Sequence, residues 1–203
     1  MKLYFSPGAC SLSPHIVLRE IGIDPELEQV DLKSKKTKAG ADFLAVNPKG
    51  QVPTLVTDDG QTLTEGPAIV QYLADKKPEA KLAPANGTIE RTRVQEWLNF
   101  ISTELHKGFS PLFNPAVPDE YKKMAKDALA QRFTMLDKHL GEKGPFLTGS
   151  QFTVADAYAW VVLGWTKYQN IDLAPYPNLG KFIGTIAQRP TVQAALKAEG
   201  LIQ

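Results

Sequence analysis

The chain of 203 residues is predicted to fold as an α/β domain followed by an all-helical domain. Three observations predict this. Strand and helix signals alternate from Lys2 to Lys76; a stretch dominated by proline, alanine and glycine then breaks the pattern; and from Ile89 onward apolar residues recur at helical spacing. The expected boundaries are 1–78 for the first domain, 79–88 for a linker and 89–203 for the helical domain.

In the first domain, Lys2–Phe5 is a short β-prone run and Ser6-Pro7-Gly8-Ala9 is a loop by composition. Ser13-Pro14 predicts a helix start, with the hydroxyl as N-cap and proline at the first helical position. Ile16, Val17, Leu18 and Ile21 are its apolar positions and Gly22 its stop. Glu26–Leu32 predicts a second strand, and Asp42–Val46 a short helix ended by the turn Asn47-Pro48-Lys49-Gly50. Val52–Thr57, Asp58-Asp59-Gly60 and Gln61–Thr64 predict a hairpin, and a helix opens at Glu65-Gly66-Pro67 and runs to Lys76. A right-handed βαβ unit followed by a hairpin and a helix is a thioredoxin-like sandwich.

In the second domain, Val94, Trp97, Leu98, Ile101 and Leu105 share one helix face, and Ala125, Leu129, Phe133, Leu136 and Leu140 share another. Thr153-Val154-Ala155-Asp156 resembles a capping box that leads into a helix over Ala157–Tyr168. Asn178–Arg189 predicts a fourth helix stopped at Pro190, and a short last helix ends near Gly200. Tyr4, Trp97, Trp160 and Trp165 are expected in cores, His15 at a surface or capping position, and His139 near a helix end.

Composition narrows the function classes. Apolar residues make up 43% and charged residues 22%, ordinary for a globular chain. Lys+Arg 23 against Asp+Glu 22 gives a net charge of +1, which carries no footprint for nucleic acid or an anionic membrane. No apolar run approaches the roughly 18 residues needed to span a bilayer. Pro7 and Gly8 cut short any signal-peptide core at the start. The single cysteine, Cys10, allows no internal disulfide, so a cytoplasmic location is expected. Scattered His and Cys residues predict no metal site.

Four features carry possible chemistry. Pro53 heads a predicted strand, where it removes a ladder donor. A cis Val52-Pro53 bond would turn the main chain of Val52 toward a cleft, able to pair with an extended peptide; an edge-strand proline without a ligand is the plainer alternative. At Glu65-Gly66-Pro67 a helix N-terminus offers free N–H groups and a partial positive charge to a carboxylate, while Glu65 could take an ammonium group or could simply cap the helix. Cys10 precedes the first helix, where a thiolate is favoured; it is either an inert buried thiol or one able to form a mixed disulfide, and Ser11 is a neighbouring donor. On the helix from Ile89, Asn99, Thr103, His106 and Lys107 fall within about 100° of arc opposite the apolar stripe, with Glu104 at its border. That arc is either a solvated face or a functional one. The stretch His106-Lys107-Gly108-Phe109 reads as a helix end, whose dipole would favour charged His106. Lys33, Lys35, Lys36 and Lys38 form a basic loop.

Together these pieces resemble the glutathione S-transferases, specifically the bacterial beta class, over essentially the whole chain. The resemblance is carried by Lys2-Leu3-Tyr4, Pro7-Gly8-Ala9-Cys10-Ser11, Val46-Asn47-Pro48-Lys49-Gly50-Gln51-Val52-Pro53 and Leu63-Thr64-Glu65-Gly66. In the helical half it is carried by Glu96-Trp97-Leu98-Asn99-Phe100, Thr103-Glu104-Leu105-His106-Lys107-Gly108 and Phe152 through Tyr158.

The resemblance implies a homodimeric enzyme that joins the thiol of glutathione to a small hydrophobic electrophile, with glutathione as co-substrate and no other cofactor. It implies that Cys10 contacts the glutathione sulfur, that Val52, exposed by a cis Pro53, pairs with the cysteinyl backbone, that Gln51 and Pro53 also bind glutathione, and that Lys35 reaches the glycyl carboxylate. Glu65 and Gly66 receive the γ-glutamyl end. Asn99, Thr103, Glu104 and His106 line the site from the helical domain, some of them serving the partner subunit. His106, Lys107, Phe109 and Phe113 border the electrophile pocket, and Asp156 is a buried capping acid with a folding role. Cys10, His106 and Ser11 are the candidate catalytic groups. Gly66 departs from the serine of many relatives outside this class, leaving main-chain donors for the γ-glutamyl carboxylate. Two other functions fit the same fold: a glutaredoxin-like thiol–disulfide oxidoreductase acting through Cys10, and a non-enzymatic binding or regulatory protein.

Overall fold

The computed structural model describes residues 1–203 and divides into two compact units, 1–83 with 189–203, and 84–188. In the first unit a five-stranded sheet has the order β3-β2-β1-β4-β5. Its strands are β1 (Lys2–Phe5), β2 (Glu26–Asp31), β3 (Lys36–Thr37), β4 (Thr54–Val56) and β5 (Thr62–Thr64). β1 pairs parallel with β2 and antiparallel with β4, and Thr54 lies opposite Thr64 in the closing hairpin. Helix α1 (Leu12–Glu20) makes the β1-to-β2 crossover, and α2 (Gly66–Lys76) follows β5. This is the predicted βαβ plus ββα order. Leu3, Ile16, Leu18, Leu55, Ile69 and Leu73 are fully enclosed, so the unit has its own apolar core.

Several local expectations change. Helix α1 begins at Leu12, so Ser13 lies inside its first turn, and its hydroxyl donates to the Cys10 carbonyl at 2.9 Å instead of capping. Pro14 is tolerated there because first-turn N–H groups have no partner to lose. Gly22 ends the helix as predicted, at φ +74°. The expected helix at Asp42–Val46 shrinks to a 3₁₀ turn over Phe43–Ala45, capped by the Asp42 carboxylate, which accepts from the Leu44 N–H at 2.9 Å. Strand β3, two residues inside the basic loop, carries too little pattern to be legible.

The domain boundary also moves. Pro190 separates the last two helices as expected, but the final one, α8 (Pro190–Ala198), packs on α1 and belongs to the first unit. Arg189 Nε and Nη2 hold the Glu20 carboxylate at 2.7 Å each. His15, expected near the surface, is fully buried, with Nδ1 at 2.9 Å from Glu199 Oε1. The Gly8 N–H donates to Glu199 Oε2 at 3.0 Å. The end of the chain thus braces the loop that carries Cys10. Nothing local in the sequence marks a contact spanning 184 residues.

The second unit contains α3 (Ile89–Phe100), a π-helical turn (Ile101–His106), α4 (Lys107–Phe113), α5 (Asp119–Lys143), α6 (Val154–Gly164) and α7 (Pro177–Ala187). Val94, Leu98, Phe133, Leu136 and the apolar face of α6 form its core. Thr88 caps α3, and the Thr153–Asp156 capping box opens α6, earlier than the composition suggests. The Asp156 carboxylate accepts from the N–H groups of Leu147 and Thr153 at 2.7 Å and from the Thr153 hydroxyl at 2.8 Å. Burial nevertheless pushes its pKa up to about 6 against those donors.

Candidate active site

In the first unit the predicted residues converge. The Val52-Pro53 peptide is cis. Strand β4 begins only at Thr54, so the Val52 N–H makes no ladder bond. The Cys10 thiol donates to the Val52 carbonyl at 3.2 Å. Asn47, almost fully buried, fixes the turn ahead of it. Its Nδ2 donates to the Gln51 carbonyl at 2.8 Å and to Thr54 Oγ1 at 2.9 Å, and its Oδ1 accepts from the Lys49 N–H at 3.1 Å. The Gln51 side chain is exposed beside it.

The start of α2 lies against Pro53: a Cβ built on Gly66 would stand 3.7 Å from Pro53 Cγ. Glu65 precedes this helix with φ +69°, a conformation that a residue with a side chain adopts only under strain. Its exposed carboxylate takes Lys49 Nζ at 2.7 Å, and the same ammonium donates to Thr64 Oγ1 at 2.9 Å. Glu65 is therefore a poor cap by geometry, and no side-chain capping bond forms. The strain marks Glu65 as a candidate ligand group at the start of α2.

Lys35 completes the cluster. It also lies at positive φ, +57°, and its Nζ donates to the Gly50 carbonyl at 2.8 Å. Gly50 is required here twice over: it sits at φ +61°, and an added Cβ would press Leu44 at 3.0 Å and Lys35 at 3.3 Å. Lys36 sits on β3 and is exposed, so Lys35 is the lysine that reaches the Gly50–Val52 turn. Around residues 50–53 gather an ammonium group at the Gly50 carbonyl, a thiol at the Val52 carbonyl and a helix N-terminus beside Pro53. Ser11 does not join them. It is fully buried, its hydroxyl accepts from the Ser6 N–H at 3.2 Å and donates to the Ser6 carbonyl at 3.3 Å, and it braces the loop.

The helical unit departs further from expectation. His106 is not at a helix end, because the chain continues into α4. Lys107 N–H reaches back to the Ser102 carbonyl, the five-residue spacing of a π turn. His106 is nonetheless only partly exposed and packs against Tyr158 and Trp165. Nδ1 lies 2.6 Å from the Tyr158 hydroxyl, and the Trp165 ring is 4.8 Å away edge-on. The expected dipole-favoured imidazolium is overturned: burial first, and Lys107 second, pull the His106 pKa down to about 4.

The remaining predicted residues divide. Asn99, Thr103 and Lys107 are exposed, and Thr103 Oγ1 donates back to the Asn99 carbonyl at 3.1 Å. Glu104 is committed to an ion pair with Arg132 of α5, at 2.9 Å from Nε and 2.8 Å from Nη2. Phe109 is no pocket wall: it is fully buried, packing on Phe133 and Trp165. Phe113 is 48% exposed with its ring edge-on to Trp165 at 5.6 Å, which suits a pocket border. Sequence reasoning missed Tyr158 and Trp165 as neighbours of His106. The capping-box stretch contains Tyr158, but nothing in it announces a contact 52 residues away.

No group of three or more His, Cys, Asp or Glu side chains is gathered to hold a metal ion. No helix is long and apolar enough to cross a membrane.

Family models agree with this architecture. The model described as glutathione S-transferase, N-terminal domain, matches residues 8–76, and that described as glutathione S-transferase, C-terminal domain, matches 100–190. The chain belongs to the glutathione S-transferase family. It is 48% identical to glutathione S-transferase GstA of Escherichia coli O157:H7 over 99% of this chain and 100% of that one. It is 53% identical, with TM-score 0.95 and complete coverage of both chains at 100%, to a sphingomonad glutathione S-transferase solved in complex with glutathione. A beta-class glutathione S-transferase of Sphingomonas chungbukensis is also 53% identical, with TM-score 0.96 and 100% coverage of both chains. These neighbours bear out the beta-class resemblance read from the motifs.

Proposed function

We propose that this member of the family is a cytoplasmic, homodimeric glutathione transferase that conjugates glutathione to small apolar electrophiles, a detoxifying role. One observation carries the reading: Val52 keeps its N–H out of the sheet while the Cys10 thiol sits 3.2 Å from its carbonyl. A cysteinyl residue paired in extended form with Val52 would bring its own sulfur to Cys10. The γ-glutamyl carboxylate then meets the first N–H groups of α2, the γ-glutamyl ammonium meets Glu65, and the glycyl carboxylate meets Lys35. The chemistry follows from that placement. The bound thiol loses its proton to solvent, its sulfur attacks an electrophilic carbon, and a carbon–sulfur bond replaces the bond to the leaving group. Each unit by which the bound thiol's pKa falls corresponds to about 1.4 kcal/mol of preference for the thiolate.

From the helical unit, His106, Lys107 and Phe113 are assigned to the electrophile, and Asn99 and Thr103 to glutathione contacts in the same or the partner subunit. Near neutral pH His106 acts as a neutral imidazole. Calorimetric titration with glutathione tests the reading. Binding at or below millimolar concentration is expected, weakened at least about tenfold by E65A, because a charged hydrogen bond is worth more than about 1.4 kcal/mol. Absence of binding at millimolar glutathione overturns it.

The partial exposure of Cys10 favours a second activity at the same place. Its thiolate can attack a glutathione mixed disulfide, releasing the other thiol, and a second glutathione resolves the new bond to give oxidised glutathione. C10A is expected to abolish this reduction while conjugation continues.

A further inference from the structure

We propose that Tyr158 is a positioning residue for His106: its hydroxyl donates to Nδ1 and thereby fixes the imidazole in the tautomer that carries its proton on Nε2. The inference rests on the reading that His106 takes part in the transferase reaction, and it specifies how. His106 serves as a hydrogen-bond donor to substrate and not as a base.

The argument begins with distance. The two atoms stand 2.6 Å apart. Bonds donated by N–H cluster near 2.9–3.0 Å, whereas hydroxyl donors approach to about 2.7 Å. A contact this short fits the phenol as donor and the ring nitrogen as acceptor. A neutral imidazole has one nitrogen of each kind. Occupying the Nδ1 lone pair therefore places the proton on Nε2, in the way that one ring nitrogen's partner ordinarily decides the other's role.

Packing holds the choice. His106, at the end of the π turn, stands against two aromatic neighbours, with the Tyr158 ring 5.9 Å away at 75° and the Trp165 ring 4.8 Å away at 76°. A 180° ring flip would put Cδ2 where Nδ1 stands and break this short bond. Tyr158 is itself 2% exposed and anchored on α6, so the donor does not wander. Burial keeps the ring neutral at physiological pH, which is the condition under which tautomer choice matters. A neutral, oriented N–H can stabilise charge developing on the substrate at no cost in burying a cation.

Nitrogen-15 NMR of imidazole-labelled protein tests the tautomer directly in the wild-type chain. The expected result is an unprotonated Nδ1 and a protonated Nε2 for His106, giving way to a mixture in Y158F, which loses one oxygen and keeps the ring. In turnover, Y158F should lower kcat on the order of tenfold while the KM for glutathione changes less than about twofold. H106Q supplies a donor at a comparable reach without tautomers, so adding Y158F to it should change kcat by less than about twofold. Protonation on Nδ1 in the wild type overturns the inference. So does a Y158F chain with unchanged tautomer or unchanged kcat, or an equal loss from Y158F in the H106Q background, which would make the hydroxyl a packing element. Full activity in H106A overturns the underlying reading of His106, whatever the nitrogen shifts; a wrong tautomer with an inactive H106A overturns the inference alone.

Discussion

Residues 47–66 and residues 99–113 both contribute candidate site groups, yet they are built on different principles. The first is a main-chain site. Asn47 holds the turn through Gln51 and Thr54, Gly50 and Glu65 adopt positive φ, and the presented groups are the Val52 main chain and the start of α2. The second is a side-chain site, in which packing on α6 holds His106 within a π turn. A main-chain site depends on local turn residues, whereas a side-chain site on a helix depends on distant partners and on the phase of the helix. Substitutions in the two regions should therefore fail differently.

The largest effect expected lies under the helical region. Asp156 accepts three hydrogen bonds in a fully buried position and ties the start of α6 to Leu147. D156A leaves those donors without a partner and should cost about 3 kcal/mol of unfolding free energy, read from chemical denaturation. If His106 depends on α6 for its place, turnover should fall along with stability. Next in size, N47A removes three bonds from the 47–54 turn and should cost about 2 kcal/mol. Unlike D156A, it should weaken glutathione binding in calorimetry even under conditions where the chain is fully folded. Equal effects of the two variants on glutathione affinity would dissolve the contrast between the regions.

The same contrast explains what was legible. The strands, α1, α2 and the turn at 47–50 announce themselves because Gly, Pro and alternating apolar residues act over a few positions. The convergence of Cys10, Val52, Glu65 and Lys35 followed from those local signals together with the family motifs. The burial of His15 against Glu199 did not, because both groups are polar and far apart in sequence. Nor did the surroundings of His106. The extrapolation at 100° per residue placed His106 on a solvated arc with Lys107, which is exposed, but His106 packs against Tyr158 and Trp165, partners far away in the sequence. The burial of Phe109 and Ser11 was missed for a related reason: residue type suggests chemistry, whereas burial and existing partners are set by packing.

Acid titration sharpens the comparison by a smaller margin. His106 has its pKa lowered from 6.5 to about 4, so the unfolded chain binds more protons between those values. Its contribution to stability is present above pH 6.5 and is lost as pH falls toward 4. Asp156 is raised from 3.8 to about 6, and its contribution runs the other way, present below pH 3.8 and lost as pH rises through 6. Denaturation curves at a series of pH values should show the wild type losing stability relative to H106Q on acidification across this window and gaining it relative to D156N. A flat difference for H106Q would mean that His106 is not desolvated in the folded chain.

The smallest effect tests the main-chain site alone. Gly66 has no need of glycine's freedom, for its φ is not positive and an added Cβ meets Pro53 only at 3.7 Å, an ordinary contact. G66A and G66S should both fold and should each stabilise the chain by about 0.5 kcal/mol, because either residue restricts the unfolded state more than glycine does. Only the serine adds a hydroxyl at the start of α2, where a carboxylate would sit. G66S should therefore bind glutathione about threefold more tightly than the wild type, while G66A should match the wild type to within error. Both variants binding equally would place the γ-glutamyl carboxylate away from the α2 N-terminus. Weaker binding by both would mean that the ligand approaches the Gly66 main chain more closely than an added methyl group allows.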